Sequence, residues 1–278
     1  MTARLVPVDR AEDPALDPYV RLRDRDLARN DGLFVAEGEV VVRVLASTRQ
    51  TRFRVRSLLV EQRRVEALAD VIAALSADVA VYVAPQSVMD AVVGFAIHRG
   101  ILALGERGAA LAASSLLGEG GGSLRGTNVA VGLIGLTNHD NVGSVFRNAA
   151  AFGARGVLID PATCDPLYRK SIRVSVGAAV VVPFARCASG EAMLDTIAEA
   201  GWEALSLSAR GDETLDAVAA GPVAQRGRVL LLGAEGDGLP PSIMDRTRRV
   251  RIDMTPTLDS LNVAVASGIA LYEATRSR

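Results

Sequence analysis

The sequence predicts an α/β protein built in two parts. Short strands rich in Val and Leu alternate with stretches of helical periodicity on both sides of the chain's middle. Between them, residues 106–127 turn rich in Ala, Gly and Ser, including the run Gly120–Gly121–Gly122, as a linker does. The chain has 278 residues, 49% of them hydrophobic, which supports sizeable cores and excludes a disordered protein. The expected division is a small domain over 1–105, the linker over 106–127 and a larger domain over 128–278.

In the first part, residues 1–35 are charged and interrupted by Pro7, Pro14 and Pro18, with a candidate helix over 19–30. Val40, Val41, Val44 and Leu45 recur at helical spacing within 38–47. Residues 57–61 read as a strand, 65–75 as a helix and 79–83 as a strand. Val88, Met89, Val92 and Val93 indicate another helix, and 100–104 another strand. A helical piece at 109–117 falls inside the linker. From Asn128 onward, strands are expected at 129–136, 156–160, 179–185, 203–207, 228–232 and 249–253. Helices are expected at 142–152, 190–200, 240–246 and 261–275. Val- and Leu-rich strands that alternate with helices predict a mostly parallel sheet covered on both faces.

Formal net charge is -1, so contact with nucleic acid would need a local patch. One exists: Arg43, Arg49, Arg52, Arg54, Arg56, Arg63 and Arg64 fall close together against Glu61. Such a patch suits phosphate, and strand alternation would set Arg52, Arg54 and Arg56 on one face. Lys170 is the only lysine, so basic charge is carried by planar guanidinium groups. Cys164, Cys187, His98 and His139 show no metal-ligand spacing, and no metal is expected. The N-terminus lacks an apolar leader core and no run of about 18 apolar residues occurs. A cytoplasmic protein without a membrane partner is expected.

Three segments carry chemistry. In 138–153, an apolar strand leads through a loop into a helix; Asn141 is expected to cap it. Val142, Val145, Phe146 and Ala149 would turn to the core and Arg147 elsewhere. In 230–240, LLLGAEGDGLP, a buried strand ends and Gly233, Gly236 and Gly238 let the backbone turn tightly against a ligand. The loop is neither GxGxxG nor a P-loop, and Glu235 and Asp237 disfavour phosphate, so a neutral or cationic ligand fits better. In 251–276, a strand ends at Met254 and leads to Ser260–Leu261–Asn262, with Ser260 a candidate cap for a helix rich in small residues.

Taken in order, these segments resemble the three motifs of the SpoU/TrmH family of the SPOUT methyltransferases. The match is Asn141 with Arg147 and Ala149, then Gly233–Ala234–Glu235–Gly236 with Gly238, then Ser260–Leu261–Asn262–Val263 with Tyr272–Glu273–Ala274. The resemblance implies a C-terminal SPOUT domain with an α/β trefoil knot, a feature that general connection rules would not predict. It implies transfer of a methyl group from S-adenosyl-L-methionine to a ribose 2′-hydroxyl of structured RNA, rRNA or tRNA, by a homodimer joined through the C-terminal domain. It assigns Asn141, Arg147, Glu235, Ser260 and Asn262 to catalysis. Leu232, Gly233, Glu235, Gly236, Ile252, Met254, Ser260 and Leu261 would line the cofactor site.

The first part, through 34–47, is similar to the L30e-like RNA-binding domains that precede such catalytic domains. Arg43, Arg52, Arg54 and Arg56 are its candidate RNA contacts. Asp253 departs from the family's Ile-Pro-Met. An RNA-binding protein of the same fold without methyl transfer is the alternative reading; AdoMet binding would separate the two. A dinucleotide-binding enzyme is disfavoured, since the fingerprint after its first strand is missing.

Overall fold

The structure, a computed structural model, describes residues 3–20, 32–47, 52–94, 99–118, 127–220, 227–255, 257 and 259–276. The chain separates into two compact units, Met1–Ala109 with Leu167–Val181, and Ala110–Pro166 with Val182–Arg278.

The first unit is built on a mixed sheet of five described strands, β1 (Arg4–Pro7), β2 (Leu33–Glu37), β3 (Arg54–Glu61), β4 (Ala80–Ala84) and β5 (Ile101–Glu106). They lie in the order β1-β4-β3-β5-β2. β4 is parallel to β1 and β3, and β5 is antiparallel to β3 and β2. The core of this unit gathers Val35, Leu59, Met89, Leu102 and Leu104. Tyr19 is fully buried and its hydroxyl meets the Ser57 hydroxyl at 2.8 Å, so its polar end is satisfied. Of the helix expected over 19–30, Asp17–Val20 is the described piece; 21–31 lie outside the described residues. β1 falls in the stretch read as irregular. Two short helices, Arg169–Val174 and Ala178–Val181, also pack into this unit. Gly177 permits close packing there, since a Cβ would come within 3.3 Å of Val44.

The second unit holds seven described strands: β6 (Val129–Leu133), β7 (Val157–Ile159), β8 (Phe184–Arg186), β9 (Glu203–Leu207), β10 (Glu213–Thr214), β11 (Arg228–Leu232) and β12 (Arg248–Arg251). Their order is β10-β12-β9-β11-β6-β7-β8 and every pairing is parallel. All residues of β6, β7 and β11 are buried, as expected for central strands covered on both faces. The segment 106–127 is more than a spacer. Its helix Ala113–Leu117 places Leu116 and Leu117 in this unit's core, and the Leu117 carbonyl accepts from the Trp202 indole at 3.1 Å.

One expected strand, 179–185, is divided: Ala178–Val181 is helical and β8 begins at Phe184. Pro183 stands between them; it lacks an N–H and pushes Val182 away from helical geometry. Among the described residues no helix is long and apolar enough to cross a membrane.

Candidate active site

A parallel sheet collects at one edge the loops that follow its strands, and ligands bind there. The loops after β6, β11 and β12 carry the three motifs. The helix after β6 spans His139–Ala151 and starts one turn earlier than expected, because Asn138 caps it. The Asn138 side chain accepts from the Asp140 amide at 2.8 Å. Val142, Val145, Phe146 and Ala149 are fully buried, and Arg147 is exposed, as the periodicity requires.

Asn141 is thereby released from capping. Buried in the first turn, its Nδ2 donates to Glu235 Oε1 at 2.8 Å and its Oδ1 accepts from Asn262 Nδ2 at 3.0 Å. Glu235 Oε2 accepts from the Thr137 amide at 3.4 Å. Asn262 in turn caps the final helix, Val263–Thr275, through Oδ1, which receives the Ala264 and Val265 amides at 2.9 and 3.3 Å. That role was expected of Ser260, which is exposed and lies two residues before the cap. One chain of hydrogen bonds therefore runs from Thr137 through Glu235, Asn141 and Asn262 into the last helix. Arg147, six residues beyond Asn141, makes no hydrogen bond or ion pair with a described residue.

Sequence reading missed Asn148. Its Nδ2 donates to Ala264 O at 2.8 Å and to Ser267 Oγ at 2.9 Å. Asn148 is seven residues past Asn141, so both point from one helix face toward 262–268. That spacing was the available signal. Gly268 fits under it, where a Cβ would come within 3.3 Å of Asn148.

The loop after β11 is a closed turn. Ala234 and Gly238 exchange backbone hydrogen bonds at 3.2 and 3.1 Å. A Cβ on Gly233 would lie 2.2 Å from the Gly238 carbonyl carbon, so only glycine permits this closure. Gly236 and Gly238 have φ of +100° and +72°, and a Cβ on either would meet nothing within 4 Å. Their open faces leave the backbone accessible. Leu232 is buried, whereas Ile252, Met254 and Leu261 are partly exposed.

Asp253 is exposed and accepts from Arg251 Nε at 2.9 Å. Arg251 Nη1 also donates to Gly211 O and Asp212 O at 3.1 and 3.2 Å. Arg251 thus ties the end of β12 to the loop after β9, and the carboxylate that replaces proline in the third motif braces its guanidinium. The Cys164 thiol is pushed up to about 12 by burial first, then by the charges of Asp165 and Glu235. It stays protonated at neutral pH and is no nucleophile.

In the first unit, Arg52, Arg54 and Arg56 are all exposed, alternating with buried Phe53 and half-buried Val55. A bulge between Val55 and Ser57 falls at Arg56. Arg52 lies 5.0 Å from the Phe53 ring centroid, and Arg56 Nη1 is 3.5 Å from Glu106 Oε1. Arg43 is engaged differently: Glu39 Oε1 holds its Nε at 2.8 Å and Asp70 binds its Nη1. Arg43 is therefore held by two carboxylates.

Fold and cluster together define an α/β domain with a candidate ligand site at the carboxyl edge of a parallel sheet. The sequence profile described as the SpoU rRNA Methylase family matches residues 128–272. An uncharacterised tRNA/rRNA methyltransferase of Mycobacterium bovis is 37% identical over 272 residues, covering 96% of this chain and 90% of the relative. The chain belongs to the SpoU rRNA methylase family.

Two solved structures share the fold. The AdoMet-bound rRNA methyltransferase of Sinorhizobium meliloti superimposes with a TM-score of 0.78 at 22% identity, over 97% of each chain. The SpoU methyltransferase AviRb of Streptomyces viridochromogenes, in complex with AdoMet, gives 0.75 at 22% identity, over 95% of this chain and 97% of that one.

Proposed function

We propose that the protein transfers a methyl group from S-adenosyl-L-methionine to a ribose 2′-hydroxyl of structured rRNA or tRNA. The observation that carries this reading is the Glu235–Asn141–Asn262 chain, which joins all three motifs and leaves Arg147 exposed on the same helix. The glycine turn fits the cofactor: its backbone is open at Gly236 and Gly238, and Glu235 and Asp237 favour a cationic ligand. When bound, AdoMet supplies an electrophilic methyl group on a sulfonium.

Leu232, Gly233, Gly236, Ile252, Met254 and Leu261 would hold it by backbone and apolar contacts. Through its planar guanidinium, Arg147 binds the neighbouring phosphate and stabilises developing charge on the ribose oxygen. A phosphate oxygen or water takes the hydroxyl proton. Glu235 holds Asn141 and the Thr137 amide in place, and Asn262 and Ser260 form the opposite wall. Mass-spectrometric mapping of 2′-O-methyl nucleotides in rRNA and tRNA tests this. One site should disappear from cells without the protein; identical maps from both strains would refute it.

The protein should act as a homodimer through its second unit. Val265, Ile269 and Tyr272 form one stripe on the final helix and are 52%, 40% and 52% exposed. Sedimentation of the full chain at micromolar concentration is expected to give a dimer, and Val265→Asp with Ile269→Asp a monomer. A monomeric wild type would rule this out.

The first unit should set RNA affinity. Replacing Arg52, Arg54 and Arg56 with Ala removes three phosphate contacts, so RNA binding should weaken and its log–log salt slope fall by about 3. AdoMet affinity should hardly move. An unchanged salt slope would make these three arginines a solvated face.

A further inference from the structure

The loop from Ile134 to Asn138 presents the helix that carries Asn141 and Arg147, and two carboxylates hold it. One is Glu235, on the Thr137 amide. The other is Asp160, directly after β7, only 6% exposed. Asp160 Oδ1 accepts from the Gly135 amide at 3.1 Å, the Thr163 amide at 2.8 Å and the Thr163 hydroxyl at 2.6 Å. Thr163, 3% exposed, passes the restraint on: its Oγ1 accepts from the Leu136 amide at 3.2 Å. Backbone bonds close the unit, from Asp160 N to Leu133 O at 3.1 Å and from Cys164 N to Leu136 O at 2.8 Å. Every residue from Leu133 to Leu136 but one is thus bonded to 160–164, and the remaining one, Ile134, is bonded to Leu232 O at 3.0 Å.

We infer that Asp160 and Thr163 are positioning residues for methyl transfer: they fix the loop after β6 so that Asn141 meets Glu235 and Arg147 faces the substrate. Neither belongs to the three motifs. Buried groups held by several hydrogen bonds are rigid, and a reacting geometry tolerates displacements well under 1 Å. The hydroxyl of Thr163 is the hinge of the arrangement, because it donates to Asp160 while accepting from Leu136. Valine at 163 has nearly the same shape and can do neither.

The inference rests on the proposed function, so its test has a second readout. Thr163→Val should lower kcat about tenfold or more, with tritiated AdoMet and total rRNA and tRNA from cells lacking the protein. KM for RNA and AdoMet affinity should stay within about twofold. Thr163→Ser, which keeps the hydroxyl, should restore kcat. Thr247→Val serves as a stability control: it removes a hydroxyl 2.6 Å from Ser206 Oγ in the same unit. It should leave kcat near wild type at a similar loss of Tm.

In parallel, amide exchange in the 134–140 peptide of the full-length protein should accelerate in Thr163→Val and not in Thr247→Val. Should Thr163→Val not fold, Asp160→Asn, which keeps an acceptor and drops the charge, is read against the same criteria. Wild-type kcat in Thr163→Val, or unchanged exchange at 134–140, overturns the assignment. A wild-type protein that transfers no methyl group sinks the proposed function and with it the catalytic purpose of the clamp, while exchange still judges whether Asp160 and Thr163 hold the loop.

Discussion

Arg147→Ala is expected to abolish methyl transfer, by about 100-fold or more in kcat, while AdoMet affinity stays within about twofold. The guanidinium is exposed and makes no bond with a described residue, so its removal costs the fold almost nothing. The loops proposed to hold the cofactor are other segments, after β11 and β12. Arg147→Lys should fail nearly as badly, because a point charge cannot grip a phosphate and a developing oxyanion in one plane. Single-turnover kinetics with calorimetry of AdoMet binding checks both halves. Wild-type turnover in Arg147→Ala would end its catalytic assignment.

Gly233→Ala is expected to have the opposite signature, with AdoMet affinity lost by about tenfold or more. The added methyl would sit 2.2 Å from the Gly238 carbonyl carbon and 2.3 Å from Leu239 N, both backbone atoms that cannot step aside. The turn would have to open, breaking the paired bonds between Ala234 and Gly238 and displacing Glu235 from Asn141. Gly236→Ala separates strain from clash: its Cβ would meet nothing, yet φ of +100° strains an L-residue by about 1–3 kcal/mol. It should bind AdoMet better than Gly233→Ala. Equal affinities for Gly233→Ala and wild type would show that this turn does not form the cofactor site.

Much of this was legible in the sequence for local reasons. The buried strands β6 and β11 announce themselves as apolar runs, and the helix after β6 shows its buried face through Val142, Val145, Phe146 and Ala149. Asn141 and Asn262 were marked by motif, but their joint hydrogen bond spans 121 positions and follows from no local rule. The caps are ambiguous in the sequence for a related reason. Ser, Asn and Asp all cap helices, and 138–141 and 260–262 each offer more than one such residue. Which one caps depends on where tertiary packing starts the helix.

The spacing of Asn148 from Asn141 is a weak signal, because an amide in a helix is ordinary until its partners on another helix are known. The strand β1 was hidden by Pro7 and its charged neighbours. Among the described residues it is an edge strand paired with β4 alone, where proline and charge are tolerated. The membership of 167–181 in the first unit is beyond sequence patterns, which assume that neighbours in sequence pack together.

Asn262 does two jobs with one side chain. Its oxygen closes the first turn of the last helix, and its nitrogen fixes Asn141. The first turn of that helix cannot fray without setting Asn141 adrift. Fraying at a helix end has a low free-energy cost compared with global unfolding, and this one is restrained by a cap worth about 1 kcal/mol. Warming should therefore erode turnover reversibly below the temperature at which the sheet melts, with activity reporting on the loosest turn of the domain and not on its core.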